Sequence, residues 1–156
     1  MIEYREGNLL KSDMEVIVHG CNCFNTFGAG IAKQIRSIYP EANETDQKTQ
    51  KGDRNKLGTC TTAISNDKLI INAYTQFHYS RNTKTVDYDA IKSVMYEIDE
   101  IVPQNTTIGM PRIGCGLAGG DWNIVEKILD EAFTDRRIFI YDLYEEWVLI
   151  DNKWSL

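Results

Sequence analysis

The placement of the glycines restricts the fold of this sequence more than any other feature. Six of the eleven glycines fall into two short groups, and each group lies between a predicted strand and a predicted helix. Glycine at such a turn lets the backbone bend sharply and approach a ligand closely. In open α/β sheets, ligands bind beyond the carboxyl ends of the strands. The pattern therefore predicts two ligand loops, one containing Gly28 and Gly30 and the other containing Gly114, Gly116, Gly119 and Gly120.

Runs of apolar residues predict the strands. Residues 16–18 form a β-branched run that extends to residue 21, and such a continuous run is typical of a strand buried on both faces. A small terminal hairpin is expected at residues 146–156. Shorter runs predict the remaining strands at residues 2–5, 58–64, 69–74, 106–110 and 138–141.

Helices are predicted between these strands. Residues 87–102 carry apolar side chains at steps of three and four, with Asp87 placed to cap the helix. The same spacing predicts a helix at residues 122–133 and another that stops near Pro40, whereas the polar residues 41–51 predict a solvated helix. Because strands and helices alternate, we expect an α/β fold with a mixed central sheet between helices.

Length and charge limit the classes of function. At 156 residues the chain fits a single domain spanning residues 1–156. It carries 17 Lys and Arg against 23 Asp and Glu, and the net charge of −6 argues against unspecific binding to nucleic-acid backbones. The net charge does not exclude a local anion site, because backbone N–H groups bind phosphate without side-chain cations. Two glycine loops are then able to hold both phosphates of a diphosphate, or a phosphate and a sugar.

Location and metal content are predicted from the same composition. No apolar run approaches the roughly 18 residues of a membrane span, and the sequence starts without a basic segment followed by an apolar one. We therefore expect a cytoplasmic protein with no membrane partner, whose four cysteines are thiols. The cysteines and the two histidines lack the spacing of a structural zinc site, so we expect no metal and no cofactor.

Two longer motifs resemble those of a known family. Residues 19–35 read HGCNCFNTFGAGIAKQI, and residues 111–122 read PRIGCGLAGGDW. Together with Gly7-Asn8-Leu9, they resemble the ligand loops of macro domains, over residues 2–143. Within this family the chain is similar to the branch that contains ADP-ribose 1''-phosphate phosphatases and terminal ADP-ribose glycohydrolases. The resemblance implies a three-layer α/β/α fold and a cleft that binds ADP-ribose or a derivative of it.

The resemblance also implies ligand contacts for the residues that match the family's motifs. Asn8 would meet the adenine amino group, Leu9 would offer its backbone N–H to the purine, and Asn22 would hydrogen-bond the distal ribose. Tyr141 or Leu143 would flank the adenine. Backbone N–H groups would wrap one phosphate at Gly28, Ala29, Gly30 and Ile31, and the other at Gly114, Cys115, Gly116, Leu117 and Ala118.

Two residues are candidates for catalysis. His19 stands where a histidine of the phosphatase branch is implicated in catalysis, and near the distal ribose it would act as a general base or contact phosphate. Asp121, at the start of a predicted helix, would activate water or accept a proton. Each of these residues also has a purely structural interpretation, in which it neither binds ligand nor takes part in catalysis. His19 would then be a buried strand residue and Asp121 an N-cap. Asn22 would be a loop cap and Asn8 a turn residue. His78 is a secondary candidate and is expected at the surface.

Two departures from the glycohydrolase branch bear on the reaction. That branch has an Asp at the position of Ala118, and a Lys where Thr75 is followed here by Gln76. Without that lysine, a covalent Lys adduct at C1'' of the ribose is not available. We therefore expect a phosphatase that hydrolyses ADP-ribose 1''-phosphate. The alternatives are a non-catalytic ADP-ribose reader and a hydrolase that removes ADP-ribose from protein or nucleic acid, nucleic acid being expected only as an ADP-ribosylated substrate.

Overall fold

The computed structural model describes residues 1–79, 84–116, 118–143, 148–150 and 153–155. Its main sheet contains the strands β1 (Ile2–Glu6), β2 (Val16–Cys21), β3 (Cys60–Ser65), β4 (Lys68–Tyr74), β5 (Ile108–Met110) and β6 (Ile138–Asp142). The α-helices are α1 (Gly30–Ile38), α2 (Pro40–Gln47), α3 (Tyr88–Ile101) and α4 (Trp122–Ala132). Two short 3₁₀ helices, Leu9–Lys11 and Arg54–Lys56, were not expected from the apolar pattern.

The sheet is mixed, as predicted. Its strand order is β1-β6-β5-β2-β4-β3, in which β3 runs antiparallel to β4 and the other neighbours are parallel. The side chains of Val16, Ile17 and Val18 on β2 are almost completely buried. Their full burial is what the continuous apolar run predicts for a strand covered on both faces.

Helices cover both faces of the sheet and complete three layers. Val16 and Val18 of β2 pack in one core cluster with buried side chains of α3 and α4. Ile17 lies in the other cluster, with Ile35 of α1 and Ala42 of α2. Because successive strand residues point to opposite faces, the two clusters lie on opposite sides of the sheet. The predicted three-layer α/β/α architecture is confirmed.

Two of the helices can be compared directly with their predictions. Asp87 caps α3 as predicted, since its carboxylate accepts a hydrogen bond from the backbone N–H of Ala90 at 3.0 Å. The prediction of a solvated helix at residues 41–51 is wrong in part. The helix ends at Gln47, and Ala42 and Asp46 on it are fully buried. A buried aspartate adds nothing to an apolar pattern, so the pattern could not reveal this face.

A separate two-stranded sheet lies within residues 146–156, where the sequence predicts a terminal hairpin. Val148–Ile150 (β7) and Lys153–Ser155 (β8) pair antiparallel, with Ile150 opposite Lys153. The residues that join them, 151–152, lie outside the described part of the chain. No helix within the described residues has the length and apolar character needed to cross a lipid bilayer.

Candidate functional site

The two glycine loops follow strands that are neighbours in the sheet. The first loop (residues 22–30) follows β2, and the second loop (residues 111–120) follows β5. The strands are parallel, with Val16 opposite Ile108 and Ile17 opposite Gly109. Both loops therefore emerge from the same edge of the sheet, side by side, as the sequence predicts for a ligand cleft.

Two glycines in these loops leave space that the protein itself does not fill. A Cβ atom added to Gly28 or Gly116 would have no heavy atom within 4 Å. Neither residue has a positive φ, so the backbone conformation does not require glycine there. The absence of a side chain at these two positions therefore keeps the loop surface open and brings the backbone within reach of a ligand.

Other glycines of the second loop are needed by the fold. Gly114 has a φ of 79°, and a Cβ there would lie 2.8 Å from Cγ2 of Val86. A Cβ on Gly120 would collide with the carbonyl oxygen of Gly114, which accepts a hydrogen bond from the Gly120 N–H at 2.6 Å. The N–H groups of Thr85 and Val86 donate to the carbonyl of Ala118 at 3.0 and 3.2 Å. These contacts fix the second loop in a tight curl.

Helix α1 begins within the first loop and lacks a side-chain cap. Its N-cap residue is Ala29, whose methyl group accepts no hydrogen bond. Gly30, the first helical residue, has a φ of 59°. The N–H groups of a helix's first turn have no partner within the helix, and together with the helix dipole they favour an anion. Ile31, also predicted to wrap a phosphate, lies in this first turn.

Asn22 holds the first loop together. Its Oδ1 accepts a hydrogen bond from the Phe24 N–H at 2.8 Å, and its Nδ2 donates to Oγ1 of Thr26 at 2.7 Å. The side chain is therefore engaged inside the loop, which is the capping interpretation of this asparagine. Its predicted hydrogen bond to the distal ribose stays a prediction.

Lys56 braces the same loop and was not anticipated. The residue is 7% exposed, and its ammonium group donates to the carbonyl of Cys23 at 3.2 Å and to Oδ1 of Asn25 at 2.6 Å. It also donates to the carbonyl of Gln50 at 3.2 Å. Asn25 has a φ of 58°, a left-handed conformation uncommon outside glycine. The buried ammonium thus stabilises a turn at the centre of the first loop.

His19 lies in the core beneath the first loop. Its side chain is 0% exposed, and its Nε2 lies 2.7 Å from Oδ1 of Asn72. Phe27 of the first loop packs edge-on against the imidazole, with ring centroids 5.1 Å apart. Burial lowers the pKa of His19 from 6.5 to about 4, while the hydrogen bond to Asn72 acts in the opposite direction. These contacts match the buried-histidine interpretation, and proton transfer by His19 stays a prediction without geometric support.

Asp121 caps helix α4 at the end of the second loop. Its Oδ1 accepts a hydrogen bond from the Asn123 N–H at 2.9 Å, and its own N–H donates to the hydroxyl of Tyr88 at 2.9 Å. The residue is exposed. Burial and then the charge of Asp121 raise the pKa of the Cys115 thiol in the second loop. Asp121 and His19 lie in different surroundings, one at the surface and one in the core.

The residues predicted to hold adenine lie at the ends of β1 and β6. The Oδ1 atom of Asn8 accepts a hydrogen bond from the Leu10 N–H at 3.0 Å and caps the 3₁₀ helix Leu9–Lys11. Leu9 is buried, whereas Tyr141 and Leu143 are partly exposed. Gly7 donates its N–H to the carbonyl of Asp142 at 2.9 Å, which joins the two strand ends.

The structure shows the burial of most of the remaining predicted residues, but not of all. Ala118 is buried and Cys115 is partly buried in the second loop, but Leu117 lies outside the described residues. His78 is exposed, as expected. The described residues contain no cluster of three or more His, Cys, Asp or Glu side chains suited to a metal ion.

A cavity of about 390 Å³ lies at the end of β4 and was missed by the sequence analysis. We call it the flanking pocket, and its walls include Arg54, Phe77, His78, Lys84 and Asp87. The guanidinium group of Arg54 lies 4.0 Å from the centre of the Phe77 ring. Residues from three separate segments of the chain form the pocket, and no motif in these segments predicts it. A second cavity of about 530 Å³ is lined by residues 25–28 of the first loop, which include Gly28, and by Arg36, Asn43 and Gln47 of α1 and α2.

The chain is therefore an α/β/α domain with two glycine loops side by side at one edge of its sheet. The macro domain family matches residues 18–129, which is more than half of the chain. The chain belongs to the macro domain family.

Individual relatives differ in their named activities. An uncharacterized 17.5 kDa protein from the tk-vs intergenic region of Enterobacteria phage T4 is 35% identical, covering 91% of this chain and 96% of its own. The DNA ADP-ribosyl glycohydrolase of Mycobacterium tuberculosis is 33% identical over 85% of this chain, which spans only 39% of that protein. The ADP-ribose 1''-phosphate phosphatase of Saccharomyces cerevisiae is 27% identical, covering 91% of this chain and 98% of its own.

A solved structure agrees with the sequence relatives. The macrodomain of Mycobacterium tuberculosis DarG superimposes with a TM-score of 0.76 at 28% identity, covering 90% of this chain and 97% of that one. The predicted resemblance to macro domains is therefore confirmed, and so is the fold.

Proposed function

We propose that this chain binds ADP-ribose in the cleft between its two glycine loops and hydrolyses ADP-ribose 1''-phosphate to ADP-ribose and phosphate. The observation that carries the proposal is the open glycine pair, Gly28 and Gly116. Glycine is required at neither position by φ or by crowding, and both residues are exposed, so the loop backbone at each position is accessible to a ligand. The two loops stand on adjacent parallel strands, a spacing suited to the two phosphates of one diphosphate.

Backbone groups explain how an acidic chain holds this anion. The net charge is −6, yet the N-terminus of α1 presents N–H groups with partial positive charge. In the second loop the N–H of Cys115 already donates to the carbonyl of Arg112 at 3.2 Å, so the second phosphate would be bound by N–H groups of neighbouring loop residues. Adenine would lie near Asn8 and the end of β6, and the distal ribose near β2 and β4. The ligand would then lie across the sheet edge from β1 towards β4.

The reaction is proposed from what the chain has near the distal ribose. Gln76 stands where the glycohydrolase branch has its lysine, and the Gln76 side chain donates a hydrogen bond to the carbonyl of His78 at 2.8 Å. An amide cannot form the covalent adduct with C1'' that a lysine forms. Hydrolysis of a phosphate monoester needs no such adduct, and the chain covers 98% of the length of the yeast phosphatase relative. Both points favour the phosphatase.

Asp121 is the carboxylate that we assign to the attacking water. It is exposed, lies at the end of the second loop, and is held in place by the hydrogen bond that it accepts from the N–H of Asn123. It would accept the proton of the water as the oxygen attacks the phosphorus and the ribose oxygen leaves. His19 would act only indirectly, by supporting Phe27 beneath the first loop. A cytoplasmic location, where the four free thiols stay reduced, belongs to the same proposal.

The test combines calorimetry with ADP-ribose and a phosphate-release assay on ADP-ribose 1''-phosphate. We expect the wild-type protein to bind ADP-ribose and to release phosphate. Gly116→Val should lose both activities, because the new side chain would occupy the open space beside the second loop. Thr62→Val is the matched control, because Thr62 is exposed on the edge strand β3 and the substitution keeps its shape. Asp121→Asn should bind ADP-ribose normally and release phosphate far more slowly.

Each outcome separates the alternatives. Binding without turnover of this substrate would favour a reader, whereas release of ADP-ribose from modified protein or nucleic acid would favour the other hydrolase. Absence of ADP-ribose binding in the folded wild-type chain would refute the whole proposal.

A further inference from the structure

The flanking pocket is connected to both glycine loops. Phe77 in its wall is attached to the first loop, because the N–H of Cys23 donates to the carbonyl of Phe77 at 3.0 Å. Val86 in its wall is attached to the second loop, because its N–H donates to the carbonyl of Ala118 at 3.2 Å. The pocket also follows the end of β4, one strand beyond β2. In the orientation proposed above, a ligand in the cleft would turn C1'' of its distal ribose, and any group attached there, towards this pocket.

Two cations line the flanking pocket. Arg54 and Lys84 are both exposed. The guanidinium of Arg54 lies 4.0 Å from the centre of the Phe77 ring, and the ammonium of Lys84 lies 4.8 Å from the centre of the Tyr88 ring. Among the described residues, neither cation forms an ion pair with a carboxylate. Contacts with aromatic rings hold both positive groups in place and leave their N–H donors available to a ligand.

Two acidic side chains in the same segments cap helices. Asp87 lines the pocket and caps α3, where its carboxylate accepts a hydrogen bond from the N–H of Ala90 at 3.0 Å. Asp53 precedes Arg54 and caps the short 3₁₀ helix, where its carboxylate accepts from the N–H of Asn55 at 2.9 Å. The partial positive charge of a helix N-terminus offsets part of the charge of a capping carboxylate. These acids therefore compensate the two cations of the pocket only in part.

We propose that Arg54 and Lys84 make the flanking pocket selective for the charge of the group attached to C1'' of the distal ribose. The pocket favours ligands whose C1'' group is anionic and disfavours those whose C1'' group is cationic, because the same two cations attract the first and repel the second. The cavity of about 390 Å³ has room for a phosphoryl group or for one six-membered ring. This inference rests on the proposed binding of ADP-ribose in the cleft, but not on which bond is hydrolysed.

Charge selectivity at C1'' bears most directly on NAD⁺, which is ADP-ribose with a positively charged nicotinamide ring on that carbon. The glycine loops bind the diphosphate that NAD⁺ and ADP-ribose share, so these loops do not distinguish the two molecules. Repulsion in the flanking pocket makes the distinction, and it excludes NAD⁺ from the cleft without lowering the affinity for ADP-ribose. NADH carries a neutral ring of almost the same size, so the two dinucleotides differ at this place mainly in charge.

The test is calorimetry of the full chain with NAD⁺, NADH and ADP-ribose. We expect wild type to bind NADH about tenfold more tightly than NAD⁺. The double variant Arg54→Gln/Lys84→Gln should raise the affinity for NAD⁺ about tenfold, and each single variant about threefold, while NADH and ADP-ribose stay within about twofold. The affinity for ADP-ribose 1''-phosphate, measured in the slow Asp121→Asn background, should respond in the opposite direction and fall about tenfold in the double variant.

Two control variants separate charge from structure. Arg54→Lys keeps the positive charge and should bind both dinucleotides as wild type does. Arg137→Gln removes the same charge elsewhere, because Arg137 is exposed and precedes β6 at the end of the sheet opposite to the glycine loops. This variant should change none of the affinities by more than about twofold.

The outcomes distinguish this inference from the function on which it rests. Wild-type protein that binds ADP-ribose, but binds NAD⁺ and NADH equally well, overturns the charge selectivity alone. So does a double variant in which the affinities for NAD⁺ and ADP-ribose 1''-phosphate change in the same direction, since that result indicates a structural role. Discrimination between NAD⁺ and NADH without phosphate release overturns the proposed reaction and supports the charge selectivity. Failure of the wild-type chain to bind ADP-ribose overturns the proposed function and this inference together.

Discussion

His19 and Asn72 lie opposite each other on the parallel strands β2 and β4, and Nε2 of His19 is 2.7 Å from Oδ1 of Asn72. Both side chains are fully buried. Nδ2 of Asn72 donates in turn to the carbonyl of Ala42 at 2.9 Å and to Oγ1 of Thr61 at 3.0 Å. This pair thus links the sheet to α2 and to the edge strand, and it lies directly beneath Phe27 of the first loop.

His19→Ala should therefore damage stability before catalysis. The substitution leaves Oδ1 of Asn72 buried without its imidazole partner and opens a cavity under Phe27, which we expect to cost about 2–4 kcal/mol of the free energy of unfolding. Urea denaturation at pH 7 measures this loss. The rate of phosphate release per folded molecule should fall by less than about tenfold. Normal stability with no remaining activity would instead restore His19 as a catalytic residue.

Stability should also fall in mild acid because of His19. Its pKa is about 4 in the fold against 6.5 ordinarily, so between these values the unfolded chain binds more protons. The free energy of unfolding should then be undiminished above pH 6.5 and decline towards pH 4, by at most about 1.4 kcal/mol per pH unit from this residue. Urea denaturation of wild type and His19→Ala across this range gives the comparison. Parallel curves for the two proteins would contradict the assignment.

Lys56→Met should weaken ligand binding by loosening the first loop. The variant keeps the length of the side chain but removes the hydrogen bonds to the carbonyl of Cys23 and to Oδ1 of Asn25. We expect the Kd for ADP-ribose to rise at least about fivefold, with a loss of about 2–3 kcal/mol in the free energy of unfolding. Calorimetry and urea denaturation measure these quantities. Lys56→Arg serves as the conservative control, and unchanged affinity in Lys56→Met would show that the brace is irrelevant to the site.

Substitution by alanine should change the stability of the protein at one glycine of the second loop and leave it unchanged at another. Gly120→Ala places a methyl group against the carbonyl oxygen of Gly114, so we expect a loss of about 1–3 kcal/mol in the free energy of unfolding. Gly116→Ala meets open space and should leave the free energy of unfolding within about 0.5 kcal/mol of wild type. Thermal denaturation with and without ADP-ribose separates the two effects. Equal destabilisation by both substitutions would mean that Gly116 is also a structural glycine.

The thiols should be slow to alkylate in the folded chain. Cys21 and Cys23 are buried, and burial together with the neighbouring Glu97 raises the pKa of Cys60 to about 12. Because the thiolate is the reactive form, iodoacetamide at pH 8 should modify Cys60 at least about a hundredfold more slowly than the same residue in urea. Mass spectrometry of tryptic peptides follows each site. Rapid labelling of Cys60 in the native protein would contradict the buried environment.

Sequence patterns could predict the features that depend only on residues close together in the chain. The apolar run of β2, the cap at Asp87 and the glycine groups each lie within a few neighbouring residues, and the structure has them where the patterns indicate. The contacts of His19 could not be predicted in this way, because its partner Asn72 lies 53 residues away and neither side chain is apolar. The register of β2 against β4 places these two residues opposite each other, and no local pattern in the sequence reveals that register.

The same limit applies to the candidate site. The glycines indicate where a ligand comes close to the backbone, but they do not say what braces the loops. Lys56 looks like an ordinary surface lysine in the sequence, and only the fold buries it against the carbonyl of Cys23. Arg54 and Phe77 are far apart in the sequence, and only the folded chain places the guanidinium of Arg54 over the Phe77 ring. Positions such as these were therefore found from the structure.

The cleft is divided between two distant parts of the chain, and this has a consequence for its synthesis. The first loop follows β2 and leaves the ribosome early, but its neighbour in the sheet is β5, which is made much later, and β6 on the other side of β5 is made later still. Until β5 and the second loop have emerged, the nascent chain has only one of the two loops that form the cleft. The ability to bind a ligand should therefore appear abruptly, late in translation, when β5 and β6 complete the sheet.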